Sequence, residues 1–231
     1  MIPLRDNIPS RRFPGVTLAI IGVNLLVFFQ ELKLGPHVEE FMLAWGIVPA
    51  RYSTAAQFFS LGEKIIPLFS SMFLHGGWLH LIGNLWVLWI FGDNVEDRLG
   101  HLKYLGFYLL SGLAAALLHV FTNLPSTMPT IGASGAIAGV MGAYFRFFPF
   151  ACVATLIPPF IFGPFFELPA ILFLGFWFLL QFYNGALSLG GRGEAFGGVA
   201  WWAHVGGFGF GVLVALFAGN ARTRQREEPF W

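Results

Sequence analysis

The chain has 231 residues, of which 56% are hydrophobic and only 11% charged, with a formal net charge of +1. Soluble domains carry roughly a quarter of their residues as charges, so this composition excludes an ordinary globular fold and points to a polytopic helical membrane protein. The near-zero net charge gives no basis for binding nucleic acid, and a lone Cys152 excludes an internal disulfide and any cysteine-based metal site.

Residues 1–14 are rich in charge and proline and read as a cytoplasmic tail. The first apolar run, about Gly15 to Phe29, lacks a small-residue cleavage site after it and reads as a retained span. Glu31 to Pro67 is long and mixed, an extramembrane loop with short elements of its own. Further runs follow at about Trp78–Phe91, Leu105–Phe121 and Ile131–Phe145. From Phe147 to Pro164 the apolar chain is broken by Pro149, Pro158, Pro159 and Pro164, which predicts an interfacial or re-entrant stretch. A fifth span runs from about Phe166 to Tyr183. A glycine-rich loop covers Gly185–Gly198, and a sixth span runs from about Ala200 to Ala218. The expected fold is an all-α bundle of six transmembrane helices over residues 15–219, with a cytoplasmic tail at 220–231.

Orientation follows from the flanking cations. With both termini cytoplasmic, Arg5, Arg11, Arg12, Arg98, Lys103, Arg146, Arg222, Arg224 and Arg226 lie inside, against Lys33, Arg51, Lys64 and Arg192 outside. The second, fourth and sixth spans then enter the membrane from outside, and Trp201-Trp202 falls at the outer interface. The second opens on His75, His80 and Asn84, the fourth on Gly132-Ala133-Ser134-Gly135, and the sixth on Ala203-His204-Val205-Gly206-Gly207. At about 1.5 Å of rise per residue, all three sets sit at one shallow depth. Polar side chains in membrane helices are costly, so this layer calls for a function.

Its chemistry is complementary. A serine hydroxyl becomes a nucleophile when a neighbouring base takes its proton, and histidine suits that task near neutral pH. Ser134 and His204 fill those roles. His80 and Asn84 are four apart on one helix face and, with the Ser134 backbone N–H at a helix N-terminus, would stabilise an oxyanion. No acidic residue lies in the outer half of these three spans, so the reading is a dyad. Gly135, Gly139 and Gly142 in the fourth span, and Gly207 and Gly211 in the sixth, provide small-residue seams for close helix approach.

These segments resemble the rhomboid family in order and spacing. Gly132-Ala133-Ser134-Gly135 is similar to its nucleophile motif, Ala203-His204-Val205-Gly206-Gly207 to its sixth-helix motif, and His75, His80 and Asn84 to its second-helix signature. Val95-Glu96-Asp97-Arg98-Leu99-Gly100 resembles the segment that follows. The resemblance implies an intramembrane serine endopeptidase that cuts single-span membrane proteins near the outer face, after a small residue, with no metal or cofactor. It also implies that the fifth helix and the loop Gly185–Gly198 act as gate and lid. Two positions depart from the family pattern. Ala138 stands four residues after the serine, where many members carry an aromatic packed on the histidine. The Trp-Arg pair of the first outer loop is missing as such, with Trp45 six residues before Arg51.

The plainer readings are helix packing for Ser134 and an interhelical hydrogen bond for His204. A metal set of His75, His80 and His204 lacks a carboxylate or cysteine. A catalytically inactive client-binding relative would be marked by loss of the serine or histidine, and both are present. A small transporter would show repeats and midplane charge, and neither is found. The expected partners are the lipid bilayer and the transmembrane segments of substrates. The short tails and the absence of a transit-type leader favour a bacterial or archaeal cytoplasmic membrane.

Overall fold

The computed structural model describes residues 1–53, 58–157, 166–189 and 199–218. Its order is β1 (Ile2–Asp6), α1 (Gly15–Leu34), α2 (Val38–Trp45), α3 (Leu61–Ser70), α4 (Trp78–Leu99), α5 (His101–Thr122), α6 (Ser134–Phe147), β2 (Cys152–Leu156), β3 (Phe166–Pro169), α7 (Ala170–Leu187) and α8 (Trp201–Phe217). Among the described residues, three helical segments are long and apolar enough to cross a membrane: Gly15–Trp45, His101–Thr122 and Ala170–Leu187. Leu61–Phe73 and Trp78–Leu99 meet that test as a pair bent by 79°, and α8 is a shorter apolar helix. The molecule is a mostly helical integral membrane protein.

Each of the six predicted apolar runs overlaps one of the helices α1, α4, α5, α6, α7 and α8, and the runs from Ile131, Phe166 and Ala200 begin before their helices do. The expectation of an all-α fold needs correction, because β1, β2 and β3 form an antiparallel sheet in that order. β1 pairs with β2 from Ile2↔Leu156 to Asp6↔Val153, with an irregularity between Pro3 and Arg5. β2 pairs with β3 from Cys152↔Pro169 to Thr155↔Phe166. Val153 and Thr155 are buried while Cys152, Ala154 and Leu156 are half-buried, the two-residue alternation of a strand. The stretch expected to be re-entrant is therefore partly a strand, and Pro158, Pro159 and Pro164 lie outside the described residues. The first residues are likewise no free tail. Trp86 Nε1 donates to the Pro3 carbonyl at 2.7 Å, and Asp6 accepts from Tyr144 and Asn94 at 2.5 and 2.9 Å.

Helix boundaries have local causes. The first amides of α1 lack intrahelical partners, and the Glu96 carboxylate of α4 takes them: Val16 and Thr17 N–H donate at 2.8 Å each, and the Thr17 hydroxyl at 2.7 Å. Gly100, at φ +81°, is the single residue between α4 and α5. α3 opens with a Ser60–Glu63 capping box. α7 starts at Ala170 and not at Phe166, because β3 takes the preceding four residues.

α6 is the central helix, buried from Gly135 through Tyr144. Its glycine face is the reason. A Cβ at Gly207 would run into the Gly135 carbonyl oxygen, one at Gly211 into that of Gly139, and one at Gly142 into that of Phe208. α6 and α8 thus touch backbone to backbone, as the small-residue seams anticipate. The sheet packs at the opposite end of α6 from Ser134, since Tyr144 reaches Asp6 about 15 Å further along the axis.

Candidate active site

Ser134 is the first residue of α6, three positions later than the predicted start of that span. Gly132 sets this boundary: its φ of +124° breaks the helix, and its N–H donates to the Ser71 carbonyl at 2.8 Å. The Ser134 N–H is consequently among the first-turn amides that no helical carbonyl accepts. The Gly135–Gly207 contact brings α8 against this turn, and His204 stands one helical turn before Gly207. Ser134 Oγ lies 2.8 Å from His204 Nε2. Both residues are half-buried.

His80 and Asn84, on the first turns of α4, lean over Gly132. A Cβ built there would fall 2.7 Å from His80 Nε2 and 3.7 Å from Asn84 Nδ2. Gly132 therefore owes its identity to its backbone conformation and to the space the imidazole takes up. His80 is exposed, whereas Asn84 is buried and donates through Nδ2 to His75 Nε2 at 3.0 Å. Nδ2 carries two hydrogens, so one remains after that bond. His75 is buried and in edge contact with the His80 ring at 5.1 Å between centroids. Through Nε2 it fixes one N–H of the Asn84 amide.

Three further residues stand at the site: Glu31 and Gln181, which the sequence does not mark as site residues, and Trp177, one of the bulky side chains of the fifth span expected to serve as a gate. The Glu31 carboxylate, assigned by the sequence to the start of a loop, is buried and accepts the His75 backbone N–H at 3.1 and 3.3 Å. Gln181, buried in α7, places Oε1 2.9 Å from His204 Nδ1. Trp177, one turn earlier in α7, packs its ring on the imidazole at 5.7 Å and 37°. A signal for Gln181 was available, since an amide in the middle of an apolar span needs an explanation. The orienting group is an amide on the fifth predicted span, whereas the dyad reading weighs only acidic residues on the second, fourth and sixth. Trp177 occupies the part that an aromatic at position 138 would play. Trp201 adds an edge contact to His204 at 6.4 Å, and Trp202 Nε1 donates to the Gly185 carbonyl at 3.0 Å. Most of the glycine-rich loop, 190–198, lies outside the described residues.

Behind Ser134 is a small cavity of about 30 Å³, whose lining includes Ser71, Met72, His119, Thr130 and Ala203. Thr130 Oγ1 and His119 Nε2 are 2.8 Å apart, and Ile47 and Thr130 exchange backbone hydrogen bonds of 3.0 and 2.7 Å. Those bonds tie the long first loop to the α5–α6 connection and so brace the turn before Ser134.

Fold and site together define a helical membrane protein that holds a serine–histidine pair across two packed helices near the end of the bundle. A family model described as "Rhomboid domain" matches residues 62–221, more than half of the chain, and the chain belongs to the rhomboid family. It is 27% identical over 219 residues to Rhomboid protein 1, mitochondrial, of Saccharomyces cerevisiae, covering 92% of this chain and 56% of that protein. RHOMBOID-like protein 5 of Arabidopsis thaliana is 37% identical over 76 residues, 33% of this chain and 25% of the relative. Rhomboid protease GluP of Bacillus subtilis is 32% identical over 132 residues, 56% of this chain and 24% of that protein. The chain spans about half or less of the length of these curated relatives. They include mitochondrial and bacterial proteins, so membership places the chain in a membrane and lends no support to the bacterial or archaeal cytoplasmic membrane in particular.

Proposed function

We propose that the chain is an intramembrane serine endopeptidase that hydrolyses peptide bonds of single-span membrane proteins near the outer membrane face. The observation that carries this reading is the 2.8 Å approach of Ser134 Oγ to His204 Nε2 at the N-terminus of a buried helix. In a six-span arrangement with both termini cytoplasmic, the sheet faces the cytoplasm and the serine opens to the other side.

The Ser134 oxygen attacks the scissile carbonyl carbon while its proton passes to His204 Nε2. The carbonyl oxygen takes up the electron pair as an oxyanion and receives hydrogen bonds from the Ser134 N–H, His80 and the free Asn84 N–H. Collapse breaks the C–N bond, and His204 returns the proton to the leaving amine. Water activated by the same imidazole then cleaves the acyl-enzyme, restoring Ser134. Gly132, Gly135, Gly207 and His75 support the geometry without reacting, and the reaction needs no metal or cofactor. A relative named as a protease, GluP, fits this reading.

The test is cleavage of a model single-span substrate by the purified protein in liposomes. Ser134→Ala and His204→Ala should each abolish cleavage while leaving thermal unfolding nearly unchanged. Labelling by a fluorophosphonate should map to Ser134. Residual cleavage by Ser134→Ala, or labelling elsewhere, would overturn the assignment.

A further inference from the structure

We infer that Gln181 is the positioning residue of this site: its side-chain amide holds the Nδ1–H of His204 and presets the tautomer that receives the Ser134 proton. The inference rests on the proposed protease reading for its consequence, while the hydrogen-bond chain itself stands on the structure alone.

Gln181 is only 6% exposed in a helix of almost uniformly apolar residues, and a buried amide is costly unless both of its ends are satisfied. Gln181 Nε2 donates to the Trp177 carbonyl at 3.2 Å. A backbone carbonyl only accepts, so the NH2 end belongs there and Oε1 faces His204 Nδ1 at 2.9 Å. An amide oxygen also only accepts, so Nδ1 must carry the hydrogen. A neutral imidazole has a single N–H, which leaves Nε2 bare with its lone pair toward Ser134 Oγ. The opposite tautomer would set the Nδ1 lone pair against that of Oε1. One assignment of hydrogens satisfies all four groups, and it is the one a general base requires.

The uncharged partner also suits the medium. A carboxylate in this place would be a buried charge within a membrane helix, whereas an amide orients the ring through a dipole and adds no charge. Trp177 and Gln181 are four apart, on one face of α7. The amide fixes the imidazole in its plane and the indole supports it from the side. The contact between α6 and α8 sets the Ser–His distance, and α7 sets the direction of the ring. This accounts for how His204 is held although residue 138 is alanine.

Two measurements on the full-length protein test the inference. The first is a long-range ¹H–¹⁵N correlation spectrum of ¹⁵N-histidine-labelled protein in micelles, with His204 assigned by comparison with His204→Ala. It should show His204 protonated at Nδ1 in the wild type, and a shifted tautomer balance in Gln181→Leu. The second is kinetics. Gln181→Leu, with Gln181→Met as a second apolar variant should leucine fail to fold, should lower kcat about 10²–10⁴-fold with little change in KM. Gln181→Glu should recover activity and move the acidic limb of the pH–rate profile to higher pH, because a carboxylate stabilises the imidazolium and keeps it protonated further up. A role confined to packing would leave the tautomer and the pH profile unmoved. His204 protonated at Nε2 in the wild type, or Gln181→Leu and Gln181→Met with unchanged kcat and pH profile, would overturn the inference. A wild-type protein that cleaves nothing would instead refute the protease reading, and the spectrum would still decide the tautomer.

Discussion

Gly207→Ala isolates the contact on which the Ser–His distance depends. Adding one methyl group at Gly207 drives it into the Gly135 carbonyl oxygen, backbone against backbone, with no flexible side chain to yield. Carbon and oxygen settle at about 3.3 Å or more, so α6 and α8 must part by on the order of 1 Å. Ser134 precedes Gly135 by one residue and His204 precedes Gly207 by three, so the same displacement stretches their 2.8 Å hydrogen bond beyond good geometry. Overpacking of this kind costs about 1–3 kcal/mol of stability, and misplacing reacting groups by 1 Å costs about 10²-fold in rate. Gly209→Ala is the internal control. It lies in the same helix with nothing within 4 Å of an added Cβ, and it should be neutral or stabilise by up to about 1 kcal/mol through helix propensity. Thermal unfolding in micelles and kcat on a single-span substrate read both effects. If Gly207→Ala matches Gly209→Ala in melting temperature and kcat, the backbone seam does not set the site.

Asn84→Ala should lower kcat by about 10²–10³-fold with the fold intact, the cost of one oxyanion donor, measured on the same substrate. Gly132→Ala combines a strained φ of +124° with a collision against His80 Nε2, and should reduce both kcat and melting temperature where Gly83→Ala, in open space on α4, changes neither appreciably. Asp6 lies outside the spans, and burial pushes its carboxyl from 3.8 up to about 6, the Tyr144 hydrogen bond opposing the rise and the Asp93 charge adding to it. A raised carboxyl favours the folded state below pH 3.8 and loses that contribution as pH rises through 6. Asp6→Asn should therefore flatten the fall in melting temperature between pH 4 and 7, and at pH 7 stabilise by ~1–2 kcal/mol after allowance for screening. Equal pH profiles for the two proteins would show that Asp6 is not the group responsible.

Much of this protein follows from local sequence. Apolar runs of span length announced the membrane class. Glycines and alanines at helical spacing in 134–147 and 201–217 announced a close seam, and the polar residues at the openings of three spans marked one layer. Each of these depends on a few neighbouring residues, which is why a linear reading reaches them. The strand Cys152–Leu156 has no polar alternation in its sequence, because Cys-Val-Ala-Thr-Leu is apolar but for a buried threonine, and its partners are the distant Ile2–Asp6 and Phe166–Pro169. What the tertiary structure alone decided is which faces meet. α7 and α8 are apolar nearly all round, so periodicity says nothing about where a lone polar side chain on them points. The partner of His204 Nδ1 lies 23 residues away on α7, and that of the His75 amide 44 residues away on α1. Sequence alone singled out Ser134 and His204 as a pair, and the structure sets them 2.8 Å apart. Only the packing of α7 on α8 decided how the histidine is held, because a buried hydrogen bond is selected by the geometry of the whole bundle and not by the residues beside it.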